Sequence, residues 1–235
     1  MDDIFWKSIA DYNTATWPLQ ILFIAVAAVL TLILWFRPRT WAKIAMKVYM
    51  VAVSLWIAFV YYMKYAAARD YSEVIAIFWC MVAAAWIYDL LTHFASFQKP
   101  DRCSPWRISF LFLPLLYPVI SLARGLEFPM ITTPMLPSAV ALYMLGMLLV
   151  FSRRINLFVF IFIVHWSVIA ISKIVFFDIP EDILLAAACL PAIYVFFSRM
   201  VEEDRTEYKP SRTAVKALVL AVAVLIGTCM VVEYV

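Results

Sequence analysis

The sequence predicts an all-α protein: a polytopic transmembrane helix bundle of about eight spans. Three observations carry that prediction. Hydrophobic residues fill 66% of the 235 positions and the mean hydropathy is +0.93, while charged residues contribute only 15%. A soluble domain is about 45–50% apolar and about a quarter charged, and a chain of this size has too little interior to hide the excess. The apolar stretches are also continuous rather than alternating, which separates membrane helices from membrane β-strands. Finally, only three glycines are present (Gly125, Gly146, Gly227), too few for a Gly-rich β architecture or for glycine-mediated helix crossings.

A hydrocarbon core about 30 Å thick needs about 20 helical residues. Apolar runs that approach this length occupy residues 17–36, 44–63, 74–94, 108–123, 137–151, 157–175, 183–197 and 217–232. The first follows "MDDIFWKSIADYNTATWPLQ", which has neither a basic n-region nor a small-residue cleavage site, so it is expected to stay in the membrane as an anchor. The fourth and fifth are short and flank the proline-rich "EFPMITTPMLP" of residues 127–137. They either cross with little tilt or form a re-entrant pair. The polar stretch "SRMVEEDRTEYKPSRTAVK" then isolates the eighth run. The expected organisation is a seven-span domain over residues 1–200, a cytoplasmic loop over 201–213 and an additional helix over 214–235.

Loop charge sets the expected orientation. Of the 19 Lys and Arg residues, 14 fall in the connections on one side, at Arg37–Lys47, Lys99–Arg107, Arg153–Arg154 and Arg199–Lys216. The remaining five (Lys7, Lys64, Arg69, Arg124, Lys173) lie on the other. The positive-inside rule puts both termini outside the cytoplasm. Trp17, Trp35 and Trp106, near run ends, suit an interfacial belt. Lipid is thus the first expected partner, and nucleic acid is not expected.

The polar residues are few enough to weigh singly. In "FFDIPEDILLAA", Asp178 precedes Glu181 by three residues with Pro180 between them, the pattern of a capping box. Asp182 then begins the apolar run, placed to turn into the bundle. On the same, outer side fall Tyr12, Asn13, Trp17, Tyr62, Lys64, Glu127, Thr132, Thr133 and Lys173. Each alone is explained by snorkelling at an interface. Together with Asp182 they are the expected ligand-binding lining of an extracytoplasmic vestibule, in which Lys64, Arg124 and Lys173 pair with Glu127 and Asp182.

Deeper polar groups suggest a second possibility. Asp89 and His93 are four apart on one face of the third run, and His165 sits at the middle of the sixth. A charge at bilayer depth costs about 2.5–3.5 kcal/mol on insertion scales, so Asp89 needs a partner. His93 is the expected one, either as a local pair or as part of a proton relay through Asp89, His93 and His165. The four cysteines (Cys80, Cys103, Cys189, Cys229) are scattered, which suggests neither a zinc site nor a disulfide framework. No nucleophile elbow, phosphate loop or HExxH motif appears. No metal, cofactor or catalytic residue is expected.

Four stretches, "YNTATWPLQ" (12–20), "LYPVISLARGLEFP" (116–129), "TTP" (132–134) and "IPEDILLAA" (179–187), resemble a bacterial family of multi-span proteins, the domain-of-unknown-function family six-zero-six-four. The resemblance runs from about Tyr12 to Arg199 and leaves the last apolar run outside. It implies a bacterial cytoplasmic (inner) membrane protein and supplies no activity. It also implies a histidine after Gly125 and a tyrosine–histidine pair closing the second span. This chain has Leu126 and Tyr62 there, so no role of those histidines carries over.

Three functions from different classes are compatible with these features. The first is a small-solute or ion transporter or channel with the outer polar vestibule. The second is a scaffold or interaction subunit, either a homo-oligomer or bound to a membrane partner. The third is a membrane-embedded enzyme acting on lipid or quinone.

Overall fold

The computed structural model describes residues 2–92, 95, 97–99, 105–152, 154 and 156–204. The last apolar run, residues 217–232, and the expected partner His93 lie outside the described residues, as do the 201–213 loop beyond position 204 and the additional helix. Among these residues eight α-helices follow in order: α1 (Asp2–Phe36), α2 (Thr40–Leu55), α3 (Ser72–Thr92), α4 (Pro105–Ser109), α5 (Leu116–Ala123), α6 (Pro137–Phe151), α7 (Leu157–Phe177) and α8 (Ile183–Asp204). A π-helical stretch, Trp56–Tyr65, continues α2, and short 3₁₀ turns at Leu113–Leu115 and Pro180–Asp182 precede α5 and α8. Among the described residues there is no strand, only one isolated antiparallel bridge between Phe97 and Ser152.

Among the described residues, five helical segments are long and apolar enough to cross a membrane: Ile4–Phe36, Thr40–Tyr65, Ser72–Thr92, Leu157–Phe177 and Pro180–Ser198. They fit a membrane protein. Large apolar side chains such as Leu22, Leu32, Phe59, Leu91, Val175 and Tyr194 stand exposed on their outer faces, a surface that water solvates poorly and lipid does not. The two short apolar helices, Leu113–Ala123 and Pro137–Phe151, are below spanning length.

A helix of only 15 residues, α6, holds the centre. Fourteen of the fifteen residues of α6 are buried, against α4, the first 3₁₀ turn, α7 and α8. Pro137 at its first turn has no N–H to lose and pre-sets the helical φ. Gly146 is required for packing. A Cβ there would stand 3.0 Å from the backbone carbon and oxygen of Phe110, so the turn after α4 lies directly on the α6 backbone. Around this core α2 and its π stretch pack on α3, α1 packs on α2, and α3 reaches α7. Trp79, Trp86 and Trp166 are among the largest fully buried side chains.

α1 starts well before the apolar run at 17. Its polar first half is helical because those polar groups find internal partners. Asn13 donates to the carbonyls of Pro129 and Ile131, both at 2.8 Å, and Gln20 donates to Asn13 Oδ1 and Thr16 Oγ1. One α1 side chain therefore fixes the proline-rich loop between α5 and α6.

Candidate functional site

Two buried ionic clusters sit at opposite ends of α7. One is built on Lys173 near its C-terminus, the other on Asn156 just before its N-terminus; 17 residues of helical rise separate them by about 26 Å.

The Asp182 cluster begins with a chain reversal. α7 ends where Asp178 takes a left-handed conformation (φ 53°), which a short polar side chain tolerates. Ile179 precedes a proline and is kept out of the helical region (φ −113°, ψ 74°), and Pro180 opens the 3₁₀ turn. The turn aims two consecutive carboxylates inward, Glu181 and Asp182, at 0% and 2% residue exposure. Glu181 accepts from Ser121 Oγ at 2.6 Å and from Arg124 Nη1 at 3.1 Å. Asp182 Oδ2 meets Lys173 Nζ at 2.6 Å and accepts from Ser138 Oγ at 3.0 Å. Ser138 in turn accepts from Lys173 Nζ and Trp166 Nε1, so a single α6 hydroxyl ties the pair to the core. Arg124 closes the set by reaching Asp178 Oδ2 at 2.7 Å.

The expected capping box is therefore corrected. No side chain caps the turn at Pro180–Asp182; Asp178 ends α7, and Glu181 is spent on Arg124 and Ser121. The expected ion pairs are redistributed as well. Lys173 does pair with Asp182, but Arg124 pairs with Asp178 and Glu181, while Glu127 is exposed.

The remaining outer-side residues sort by contact. Thr132 is buried, shares a hydrogen bond with Ser121 Oγ and donates to the Tyr117 carbonyl, and so braces the serine that holds Glu181. Tyr62 is buried between Arg69 and Asp182, its ring against Tyr61 and Trp166. The Tyr117 hydroxyl is buried beside Asp182 and Glu181 without well-formed hydrogen-bond geometry. Tyr12 is buried and accepts from Trp56 Nε1 at 2.9 Å, and the Thr133 hydroxyl is buried with no partner among the described residues. Asn13 holds the 129–131 loop as described. Trp17 and Lys64 are exposed, Lys64 lying over the Tyr65 ring. Lys173, Asp182, Tyr62 and Thr132 are thus brought together, and Trp17, Lys64 and Glu127 are not.

At the other end Asp89 is fully buried. Lys47 Nζ lies 2.7 Å from its Oδ2, and Asn156 Nδ2 and the Ala95 N–H both donate to Oδ1 at 2.9 Å. Asn156 also caps α7, accepting from Phe158 N and Val159 N. The partner of Asp89 among the described residues is Lys47, from a different helix 42 positions earlier. His165 is half-buried against the Phe78 ring, and Asp89 lies eleven residues beyond Phe78, about 16 Å along α3. His165 and Asp89 are not neighbours.

Arg69, one of the five outer-side cations, ties the start of α1 to the π-helical stretch. It donates to Ser8 Oγ, the Phe5 carbonyl and the Tyr61 hydroxyl, with its guanidinium 3.9 Å from the Phe5 ring centroid. No local spacing signals Lys47, Ser121 or Ser138, because their ionic partners lie 42 to 60 positions away, and the local cap at Asn156 gives no sign of its bond to Asp89, 67 positions earlier.

The motifs at Tyr12–Gln20, 116–129 and 179–187 thus converge at one end of one bundle. The model of a family of unknown function, DUF6064, matches residues 2–207. The chain belongs to this family. The DUF6064 match takes in both ionic clusters and stops before the last apolar run. No curated protein and no solved structure matches the chain.

Proposed function

We propose that the protein is an integral membrane transporter or channel for a small solute or ion, with the Lys173–Asp182 pair as its extracytoplasmic gate. The observation that carries the reading is the pair of buried lysine–aspartate contacts at opposite ends of α7. Charges inside a membrane bundle are costly and tend to mark ion and substrate paths. A buried ion pair adds little net stability, yet breaking it is expensive. It therefore suits a latch that a competing ion or charged solute opens by replacing one partner. The Asp182 end has the chemistry for this. Lys173 keeps 16% side-chain exposure and Arg124 24%, so both cations are within reach of an entering anionic group, beside the more exposed Asp178. The distribution of loop charge supports an outer position for this end.

Proteoliposomes loaded with Na⁺, K⁺ or H⁺ gradients test this reading. Flux above that of empty vesicles, reduced at least tenfold in Asp182→Asn with normal insertion, is expected. Absence of flux for every gradient, or equal flux in the variant, overturns it.

One observation favours a second reading, a scaffold or interaction subunit. All three acids of the Asp182 cluster are neutralised within the chain. That role predicts a stoichiometric protein partner that copurifies from the native membrane.

A further inference from the structure

A groove of about 420 Å³ runs along the C-terminal half of α1, with walls that include Ile24, Thr31, Leu111, Leu115, Val140 and Tyr143. From Ile24 to Phe36 it extends about 18 Å by helical rise. Its rim residues Leu32, Phe36, Phe112 and Leu115 are exposed, so it opens sideways from the bundle. The Thr31 and Tyr143 hydroxyls in its wall hydrogen-bond each other at 2.7 Å, and both also reach the Ala27 carbonyl. They ask nothing of a ligand. The groove suits an apolar chain and offers no site for a polar solute.

A second hollow of about 340 Å³ continues from it, sharing Leu32 and Phe36 and adding Arg37, Arg39 and Trp41. Among the described residues no carboxylate pairs with either arginine. Among the described residues, two guanidiniums thus stand without a carboxylate at the end of an apolar channel. Guanidinium groups bind phosphate in bidentate fashion, and basic pockets between membrane helices on the cytoplasmic side hold anionic headgroups.

We infer that this composite hollow is a binding site for one anionic glycerophospholipid, with an acyl chain against Val140 and Tyr143 and the phosphate on Arg37 and Arg39. The charge of the mouth and the apolar wall select the two parts of the same molecule. The site is separate from both ionic clusters and does not depend on the transport reading.

Native mass spectrometry of the full chain tests it, after incubation with an equimolar mixture of phosphatidylglycerol and phosphatidylcholine of identical acyl chains. Wild-type protein is expected to retain one phosphatidylglycerol in preference. At about 1 kcal/mol per basic residue, the Arg37→Gln/Arg39→Gln variant should lose about thirtyfold of that preference. Ala28→Trp, which fills the exposed groove wall, should lower retention of this lipid while both arginines remain. Equal retention of the two lipids by wild type, or an unchanged preference in the double arginine variant, overturns the proposal. So does an Ala28→Cys variant that cross-links to the native Cys229, which would show the groove filled by the chain's own last apolar run.

Discussion

The two ends of α7 carry the same chemistry in different settings. At one end Lys47 and Asp89 are 5% and 0% exposed, and Asn156 binds the carboxylate while capping the helix. At the other, Lys173 and Arg124 are partly exposed, and three acids share two cations through a serine on each side. The first arrangement is sealed and redundant, so its disruption should appear as lost stability. The second is accessible and strung on single hydroxyls, so its disruption should appear as altered function. Burial distinguishes the two.

The largest effect is expected at the sealed end. Asp89→Ala leaves Lys47 buried without its carboxylate and should destabilise by about 3–5 kcal/mol, measured by thermal denaturation in detergent. The Lys47→Met/Asp89→Leu double variant should recover most of that loss, since no isolated charge then remains. A double variant as unstable as the single one would show that Asp89 matters through Asn156 and Ala95 instead. Next in size is Gly146→Ala. Its added methyl meets the Phe110 backbone, which cannot turn aside as a side chain does, and overpacking costs about 1–3 kcal/mol. That loss should not alter flux per folded molecule.

At the accessible end, Lys173→Met should cost less stability than Asp89→Ala while changing flux more. If the two ends respond alike, the distinction between them fails. The smallest effect belongs to Asp178→Asn. Its side chain is 86% exposed, and surface pairs contribute about 0–1 kcal/mol. A shift in melting temperature comparable to that of Lys173→Met would place Asp178 inside the working site.

The helical segments were legible because their signal is local. Continuous apolar runs marked α6 with the bounds found, Pro137–Phe151, and brought α7 to Leu157. The polar half of α1 was not legible. Asn13 read as part of a vestibule lining ahead of the first apolar run, and its loop partners, the carbonyls of Pro129 and Ile131, lie more than a hundred positions away. The site was half visible. Asp182 and Lys173 stood out as charges at the edges of apolar runs. Glu181 was disguised by the capping pattern, which describes its spacing correctly and its partner wrongly. Lys47 sat among basic residues that orientation already explained, and its contact spans 42 positions. The π-helical turn at Trp56–Tyr65, which carries Tyr61 and Tyr62 into the aromatic cluster, has no apolar period of its own to announce it.

The central position of α6 has a consequence for synthesis. Its partners α7 and α8 follow it in the chain, and the apolar span that includes α8 ends at Ser198, 47 positions after Phe151. At about 5–20 residues per second, a ribosome takes roughly 2–9 s to deliver them. Throughout that interval a helix about 22 Å long by its rise waits without the surfaces that later enclose it. The nascent molecule therefore passes through a stage in which its future core is its outside.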